Sequence, residues 1–212
     1  MEPPTMRVWL DDVERHLEGE TVGEVLSAAA QTVEPDGRVI TDVVVDGEPW
    51  EGDRLTSPDH LGRDADEVHL VTADLLGLLG QTIEQTRDVL NELESMQEDA
   101  AAAIQRDETA RAMALLGDIT NLWMSVQQAT SHVAEGVSEP LAEMRTAEGP
   151  ARETIERFGE HLRTLVSAIE SGDASALADV LLFDLTDTAG QWRGLLDVLE
   201  ARVEERRRER SG

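Results

Sequence analysis

The sequence predicts an α+β protein that is mainly α, with a small sheet-containing module followed by an antiparallel four-helix bundle. In residues 1–72, short runs of β-branched residues alternate with Gly, Pro and Asp, a pattern typical of strands and turns. From residue 73 the apolar residues recur three and four positions apart, which is the period of amphipathic helices. We therefore expect a sheet module in residues 1–72, a bundle in residues 73–205 and an Arg-rich tail in residues 206–212.

The first module begins with a predicted strand over residues 7–10. Asp11 and Asp12 can form a turn, and residues 13–17 can return as the second arm of a hairpin. Thr21 is a predicted helix N-cap, because Glu24 three positions later completes a capping box. The helical stripe that follows consists of Val22, Val25, Leu26, Ala29 and Val33.

The rest of the module alternates breaks with strands. The Pro35-Asp36-Gly37 sequence ends the helix, and residues 38–45 are rich in β-branched residues. Asp46-Gly47 is a strong hairpin signal. After an irregular segment, residues 67–71 predict the last strand.

The order strand, strand, helix, strand, turn and strand resembles the β-grasp (ubiquitin-like) fold. The 43–49 stretch and the 67–71 strand are similar to the second half of small sulfur carriers of that fold. Sulfur carriers act through a free C-terminal Gly-Gly, whereas here Val71-Thr72-Ala73-Asp74 continues into more protein. The resemblance therefore implies a module that presents a sheet face or edge to a partner, without a carrier role.

Four apolar stripes follow, each with spacings of three and four that predict a helix packed at a shallow angle in a bundle. The breaks between them fall at residues 106–107, 136–150 and 171–173. The stripes comprise Leu76, Leu79, Ile83, Thr86, Leu90, Leu93, Gln97, Ala100 and Ile104; Ala112, Leu115, Ile119, Leu122, Val126, Ala129 and Val133; Ile155, Phe158, Leu162, Leu165 and Ile169; and Leu177, Leu181, Leu185, Thr188, Trp192, Leu195 and Leu199.

An approximate internal repeat supports two related helical hairpins. In each copy an Ala-Ile pair precedes an aspartate, and a tryptophan lies further along. The repeat predicts that one helix ends, that the aspartate caps the next helix and that the tryptophan lies on this second helix. The two copies are Ala103, Ile104, Asp107, Ala110, Leu115, Thr120 and Trp123, and Ala168, Ile169, Asp173, Ala176, Leu181, Thr186 and Trp192.

Composition excludes several classes of function. The chain has 212 residues with 45 acidic and 18 basic side chains, a formal charge of −27 that opposes binding to nucleic acid and to anionic membranes. It has no cysteine, which removes disulfides and thiolate chemistry, and every basic residue is arginine, which removes lysine Schiff bases. We expect a cytoplasmic protein without a signal peptide or a membrane span. A GC-rich genome and a salt-adapted host both fit this composition.

No catalytic, cofactor-binding or metal-binding residue is predicted. A di-iron bundle needs Glu-x-x-His on two helices, but the residues three positions before His132 and His161 are Ala129 and Phe158. The five histidines lack metal-ligand spacing, and no Gly-x-Ser-x-Gly nucleophile elbow occurs. We expect His161 to be solvated.

Three tryptophans are the candidate partner-binding residues. Trp123 and Trp192 lie on or beside apolar stripes, so packing in the bundle seam is favoured over an exposed anchor role. Trp50 follows a turn and Pro49, which makes it the best candidate for an exposed contact. The arginines of residues 206–210 suit a helix C-terminus, and a tether onto the acidic surface is the alternative.

The sequence therefore favours a non-enzymatic protein–protein interaction module, an adaptor or export-chaperone-like factor that uses a bundle groove or a sheet edge. In general style the helical part resembles small bacterial flagellar export chaperones, acidic bundles that hold a terminal helix of a partner. Two alternatives stay open: an enzyme or ligand-binding protein with its site between the modules, and a structural homodimer.

Overall fold

The computed structural model describes residues 6–212, except the side chain of Ser211. Residues 1–5, on which the expectation of no signal peptide depends, lie outside the described part. The chain divides into two compact units, one extending to Leu78 and the other covering Leu79–Gly212. They are called the sheet unit and the helical unit below. About 69% of the described chain is helical, so it is mainly α with a small N-terminal mixed sheet.

The sheet unit contains a five-stranded mixed sheet of order β2-β1-β5-β3-β4. The central pair β1 and β5 is parallel, and the other neighbouring pairs are antiparallel. The strands are β1 (Arg7–Leu10), β2 (Val13–Arg15), β3 (Arg38–Val45), β4 (Glu48–Pro49) and β5 (Glu67–Asp74). Two helices accompany them, α1 (Val22–Val33) and the short α2 (Pro58–Leu61).

Local chemistry sets these bounds as the sequence predicts. The hydroxyl of Thr21 accepts from the N–H of Glu24, whose carboxylate accepts from the backbone of Thr21, so the capping box is confirmed. A 3₁₀ turn, Glu34–Asp36, follows α1, and Gly37 ends this turn at φ 67°. Asp46 and Gly47 both have positive φ (52° and 79°), which suits the tight β3–β4 turn.

The core of the sheet unit lies between one sheet face and α1. Alternate residues of the three central strands are buried there, because successive side chains of a strand point to opposite faces. Helix α1 contributes the buried residues of its predicted stripe. The buried core consists of Val8, Leu10, Val22, Val25, Ala29, Val33, Val43, Val45, Trp50, Val68 and Leu70.

Strand β5 is longer than the 67–71 segment predicted from the sequence. Its pairing with β3 continues through Thr72 and Ala73 to Asp74, which lies opposite Arg38. The helical period begins only at Leu75, so the prediction that it begins at residue 73 is wrong by two residues. Hydrogen bonding to the neighbouring strand decides the state of Ala73 and Asp74.

The helical unit is made of long helices with breaks where the sequence predicts them. The helices are α3 (Leu75–Gln105, which begins in the sheet unit), α4 (Thr109–Gly136), α5 (Ala151–Ser171), α6 (Ala174–Asp179) and α7 (Leu185–Ser211). A π-helical segment, Val180–Asp184, joins α6 to α7, so the last predicted helix is interrupted.

The arginines of residues 206–210 belong to the last turns of α7. Arg207 pairs with Glu204 and Arg206 with Glu209, one helical turn apart. The guanidinium of Arg206 also donates to the carbonyl of Val137 at the C-terminus of α4. This segment therefore continues the helix instead of forming a separate tail. Within residues 6–212, no helix is both long and apolar enough to cross a membrane.

Candidate functional site

Trp50 is buried, so the expectation that it forms an exposed contact is wrong. Its side chain is 3% exposed and packs edge-on against His60, with ring centroids 5.8 Å apart. The guanidinium of Arg63 lies 5.6 Å from the ring centroid. The backbone N–H of Trp50 donates to the carbonyl of Val43. The side chain of Val43 is buried in the core. Hairpin pairing therefore turns Trp50 to the core face.

Trp123 and Trp192 meet inside the helical unit, as the seam interpretation predicts. With Phe158 they form an aromatic cluster whose ring centroids are 4.7–5.7 Å apart. The indole N–H of Trp192 donates to the hydroxyl of Thr130 at 3.1 Å. Both tryptophans are almost fully buried, so neither offers a surface anchor.

The interior is lined by hydrocarbon, aromatic rings and a few neutral polar groups. Among the described residues, the buried polar side chains are only threonines and glutamines: Thr72, Thr86, Gln97, Thr130, Thr154, Thr188 and Gln191. His161 is half-buried, not fully solvated as expected, and its Nδ1 lies 2.9 Å from the hydroxyl of Thr188. No group of three or more His, Cys, Asp or Glu within residues 6–212 is placed to hold a metal ion.

A mostly apolar opening of the helical unit lies where α3 turns into α4 and α5 turns into α6. The two turns have the same backbone design. Asp107 and Gly172 have left-handed φ values of 63° and 66°. The next N–H, of Glu108 or Asp173, donates to the carbonyl of Ala103 or Ala168 respectively. Both copies of the predicted internal repeat therefore contain such a helix end, and the end of α4 at Ser138 has the same design.

The expected role of the repeat's aspartates is confirmed at one turn only. The carboxylate of Asp173 caps α6 by accepting from the N–H of Ala176 at 3.0 Å. At the other turn Glu108 occupies the N-cap position of α4, but its side chain makes no capping bond to the helix backbone. Asp107 is the left-handed residue that ends α3. The expectation that Asp107 caps the next helix is wrong, because Glu108 and not Asp107 is the N-cap residue of α4. Asp107 corresponds in backbone conformation to Gly172.

A cavity of about 300 Å³ lies between the two turns. Its lining is mostly apolar and contains equivalent residues from both copies of the repeat, such as Ile104 with Ile169 and Ala112 with Leu177. Met113, which is 49% exposed, forms part of the wall. The lining comprises Ile104, Asp107, Thr109, Ala112, Met113, Leu116, Ala168, Ile169, Gly172, Asp173, Ala174 and Leu177.

A second depression adjoins the cavity, because Ile104 and Ala174 line both. It follows α6 through Ala178 and Asp179 to Leu182 in the π-helical segment. The two adjoining openings are together called the turn groove below. Exposed acidic side chains of Asp107, Asp173 and Asp179 border it.

None of the three aspartates that border the turn groove forms an ion pair within the described chain. Within the described chain, the carboxylates of Asp107 and Asp179 take part in no ion pair, and Asp173 bonds only to a backbone N–H. No arginine lines either opening. Arg111 is paired with Glu108, and Arg106 lies in the adjacent turn without lining the groove. The groove therefore combines an apolar floor with a net negative rim.

Sequence reasoning assigned Ile104, Ala112, Ile169 and Leu177 to the packed faces of helices and did not identify the opening between them. The signal that could have found it was the repeat itself. Ile104 near the end of α3 and Ile169 near the end of α5 both line the opening. Met113 lies off the predicted stripe, and an exposed methionine beside such an end is the sequence feature that was missed.

The described residues thus define a small mixed sheet followed by a helical unit with an apolar groove at one pair of turns. The model of the Domain of unknown function (DUF8042) family matches residues 81–195, more than half of the chain, and the chain belongs to this family. The match includes every residue of the turn groove and none of the sheet strands. No curated protein and no solved structure matches the chain significantly.

Proposed function

We propose that this chain is a non-enzymatic protein–protein interaction module, an adaptor or export-chaperone-like protein, and that the turn groove receives its partner. The observation that carries the proposal is the open apolar cavity with Met113 half-exposed in its wall. Exposed apolar concavities with a polar border are typical of partner-binding surfaces. The cavity lies within residues 81–195, the part of the chain that the family model matches.

The proposal includes the architecture of the helical unit, an antiparallel four-helix bundle of α3, α4, α5 and α7. Ion pairs of Arg87 with Glu200 and of Arg193 with Glu94 support an antiparallel arrangement of α3 and α7. The proximity of His161 to Thr188, with the ring contact between Phe158 and Trp192, supports the same arrangement for α5 and α7. Bundles bind ligands and partners between helices and at their ends.

For the sheet unit we propose a β-grasp-like module. The strand order β2-β1-β5-β3-β4, with a parallel central pair and α1 against one face, supports this assignment. Its outer strands are short: β2 has three residues and β4 has two. Short outer strands limit pairing with a further strand. For this reason the turn groove is favoured over the sheet edge as the docking site.

Site-specific photo-crosslinking tests the proposal. A photoreactive benzoylphenylalanine replaces Met113 in the full chain, which is then irradiated in an extract of the native host. We expect one protein to crosslink, to be displaced by excess unmodified chain, and to co-elute with the chain at a defined stoichiometry.

Met124 provides the matched control. It is also on α4 and 57% exposed, but it does not line the groove. The same photoreactive residue at position 124 should capture little of the partner. Absence of a displaceable crosslink at position 113, or equal crosslinking at both positions, contradicts the proposal.

A further inference from the structure

We infer that the occupant of the turn groove is a cationic amphipathic helix of a partner protein. One apolar side chain of this helix enters the cavity, and its basic side chains lie over the acidic rim. This inference rests on the proposed function and specifies the chemistry of the partner.

The cavity has room for an apolar side chain and is small for a whole cofactor. Sites for drug-sized ligands range from about 300 to 1,000 Å³, so a cavity of about 300 Å³ is at the lower limit. Its walls come from aliphatic side chains such as Ile104, Ile169 and Leu177, with the thioether of Met113 at the opening. Methionine adapts its shape to different apolar groups, which suits a wall that receives an inserted side chain.

Two adjoining openings suit a helical partner segment. The second depression continues from Ile104 and Ala174 along α6 toward Leu182. A helix placed along such a groove presents apolar residues at positions i, i+3 or i+4 and i+7, so successive side chains can reach the two openings.

The charge of the rim specifies the sign of the partner. Asp107, Asp173 and Asp179 border the groove, and within the described chain their carboxylates take part in no ion pair. Residues 73–212 carry 27 acidic and 13 basic side chains, so the wider surface has the same sign. Lysine and arginine side chains on the partner therefore gain attraction, while an acidic segment is repelled.

Model peptides test the inference with the full-length chain. The probe is a synthetic amphipathic helix of about 18 residues made of leucine and lysine, and its comparison peptide has glutamate in place of every lysine. Isothermal titration calorimetry at low ionic strength should show binding of the lysine peptide and none of the glutamate peptide. Equal binding of both peptides, or no binding of the lysine peptide, overturns the inference.

Two matched pairs of variants locate the binding. Met113→Ser should weaken the lysine peptide about fivefold to tenfold, because an apolar wall is lost, and Met124→Ser should leave its affinity unchanged. The double variant Asp107→Asn/Asp179→Asn should weaken it several-fold at low salt, whereas Asp88→Asn/Asp118→Asn, which removes the same charge elsewhere, should change it less. Equal losses within each pair would mean general attraction to an acidic protein and would overturn the inference.

The crosslinking experiment separates this inference from the proposed function. If a partner crosslinks at position 113 and the crosslinked peptide is acidic or lacks apolar helical spacing, the interaction function stands and the cationic-helix inference is wrong. If no partner crosslinks there, the proposed function itself is wrong, whatever the model peptides do.

Discussion

The two units stabilise their turns in different ways, and the difference concerns aspartates with left-handed backbone conformations. In the sheet unit, the turn aspartates Asp11 and Asp46 have φ values of 48° and 52°, and their carboxylates are bonded inside the unit. In the helical unit, Asp107 has a similar φ of 63°, but backbone bonds alone hold its turn. The carboxylates of Asp11 and Asp46 are therefore structural groups, whereas that of Asp107, like that of Asp12, makes no bond within the described chain.

In the sheet unit these carboxylates connect distant strands. Asp11 accepts from the N–H of Thr72 at 2.8 Å and from its hydroxyl at 2.7 Å, and Arg38 pairs with Asp11 at 3.1 Å. Asp46 accepts from two backbone N–H groups, of Asp66 and Glu67, at 2.9 and 3.1 Å. Each aspartate thus satisfies backbone donors beside β5 that neighbouring strands do not reach.

At the helix ends before α4 and α6, backbone bonds close the turn, and only the α5–α6 turn adds a side-chain cap, from Asp173. The six-residue bond from the N–H of Glu108 to the carbonyl of Ala103 closes the end of α3, and the equivalent bond closes α5. The side chain of Asp107 has no structural task and is free to interact with a partner.

The largest effect that sharpens this comparison is expected at Asp11. Asp11→Ala should destabilise the sheet unit by about 2–3 kcal/mol, because it leaves the N–H of Thr72 without a partner and places Ala in a left-handed conformation. The adjacent Asp12, with φ 62° and no side-chain bond, is the matched control. Asp12→Ala should cost about 1 kcal/mol from backbone strain alone.

Urea denaturation of the full chain, with hydrogen exchange followed by mass spectrometry to resolve the two units, measures both variants. The difference between them isolates the side-chain bonds from the backbone conformation. Equal destabilisation by the two substitutions would contradict a structural role for the carboxylate of Asp11 and would remove the distinction between the units.

Acid pH should selectively weaken the sheet unit's turns. Hydrogen bonds from the side chain and then the N–H of Thr72 lower the pKa of Asp11, and the N–H of Glu67 is the main cause that lowers the pKa of Asp46. Because both folded-state pKa values lie below the unfolded value, their stabilisation is fully present above about pH 4. It is lost as the pH falls through the folded-state pKa values.

The double variant Asp11→Asn/Asp46→Asn should therefore lose stability at pH 7 and show a flatter pH dependence below about pH 4. The charge-matched control Asp12→Asn/Asp36→Asn should keep the dependence of the unaltered chain. Urea midpoints between pH 2.5 and pH 7 measure it, and parallel curves for the two double variants would show that neither Asp11 nor Asp46 contributes.

Much of the fold could be predicted because its signals are local. The capping box at Thr21, the Asp46-Gly47 turn and the helix breaks depend on neighbouring residues, and the structure has them where the sequence indicates. Trp50 was misplaced although the information was present: pairing within the hairpin puts it opposite Val43, and opposed residues share a face. The π-helical segment 180–184 has no comparable local signal.

The candidate site was harder to predict, because a groove is a property of several helix ends at once. Periodicity places Ile104 and Ile169 on apolar faces but does not say which neighbouring helix stops short of covering them. The repeat identified the equivalent turns, yet its alignment of Asp107 with Asp173 was shifted, since the residue equivalent to Asp107 is Gly172. Only the backbone conformation reveals that correspondence and, with it, the free carboxylate.

The smallest effect tests that correspondence directly. Asp107→Gly should leave the helical unit as stable as before or stabilise it by about 0.5 kcal/mol, because glycine is preferred at a left-handed helix end and the turn's bonds are between backbone groups. The reciprocal Gly172→Ala should cost about 1 kcal/mol from φ alone, since a Cβ there meets no atom within 4 Å. Urea denaturation of both variants measures their free energies of unfolding.

A marked loss of stability in Asp107→Gly would mean that its carboxylate is engaged within the fold, which would abolish the contrast with Asp11. Because Asp107→Gly also removes a rim charge, unchanged stability together with weaker binding of the lysine peptide would assign the carboxylate to the partner and not to the turn.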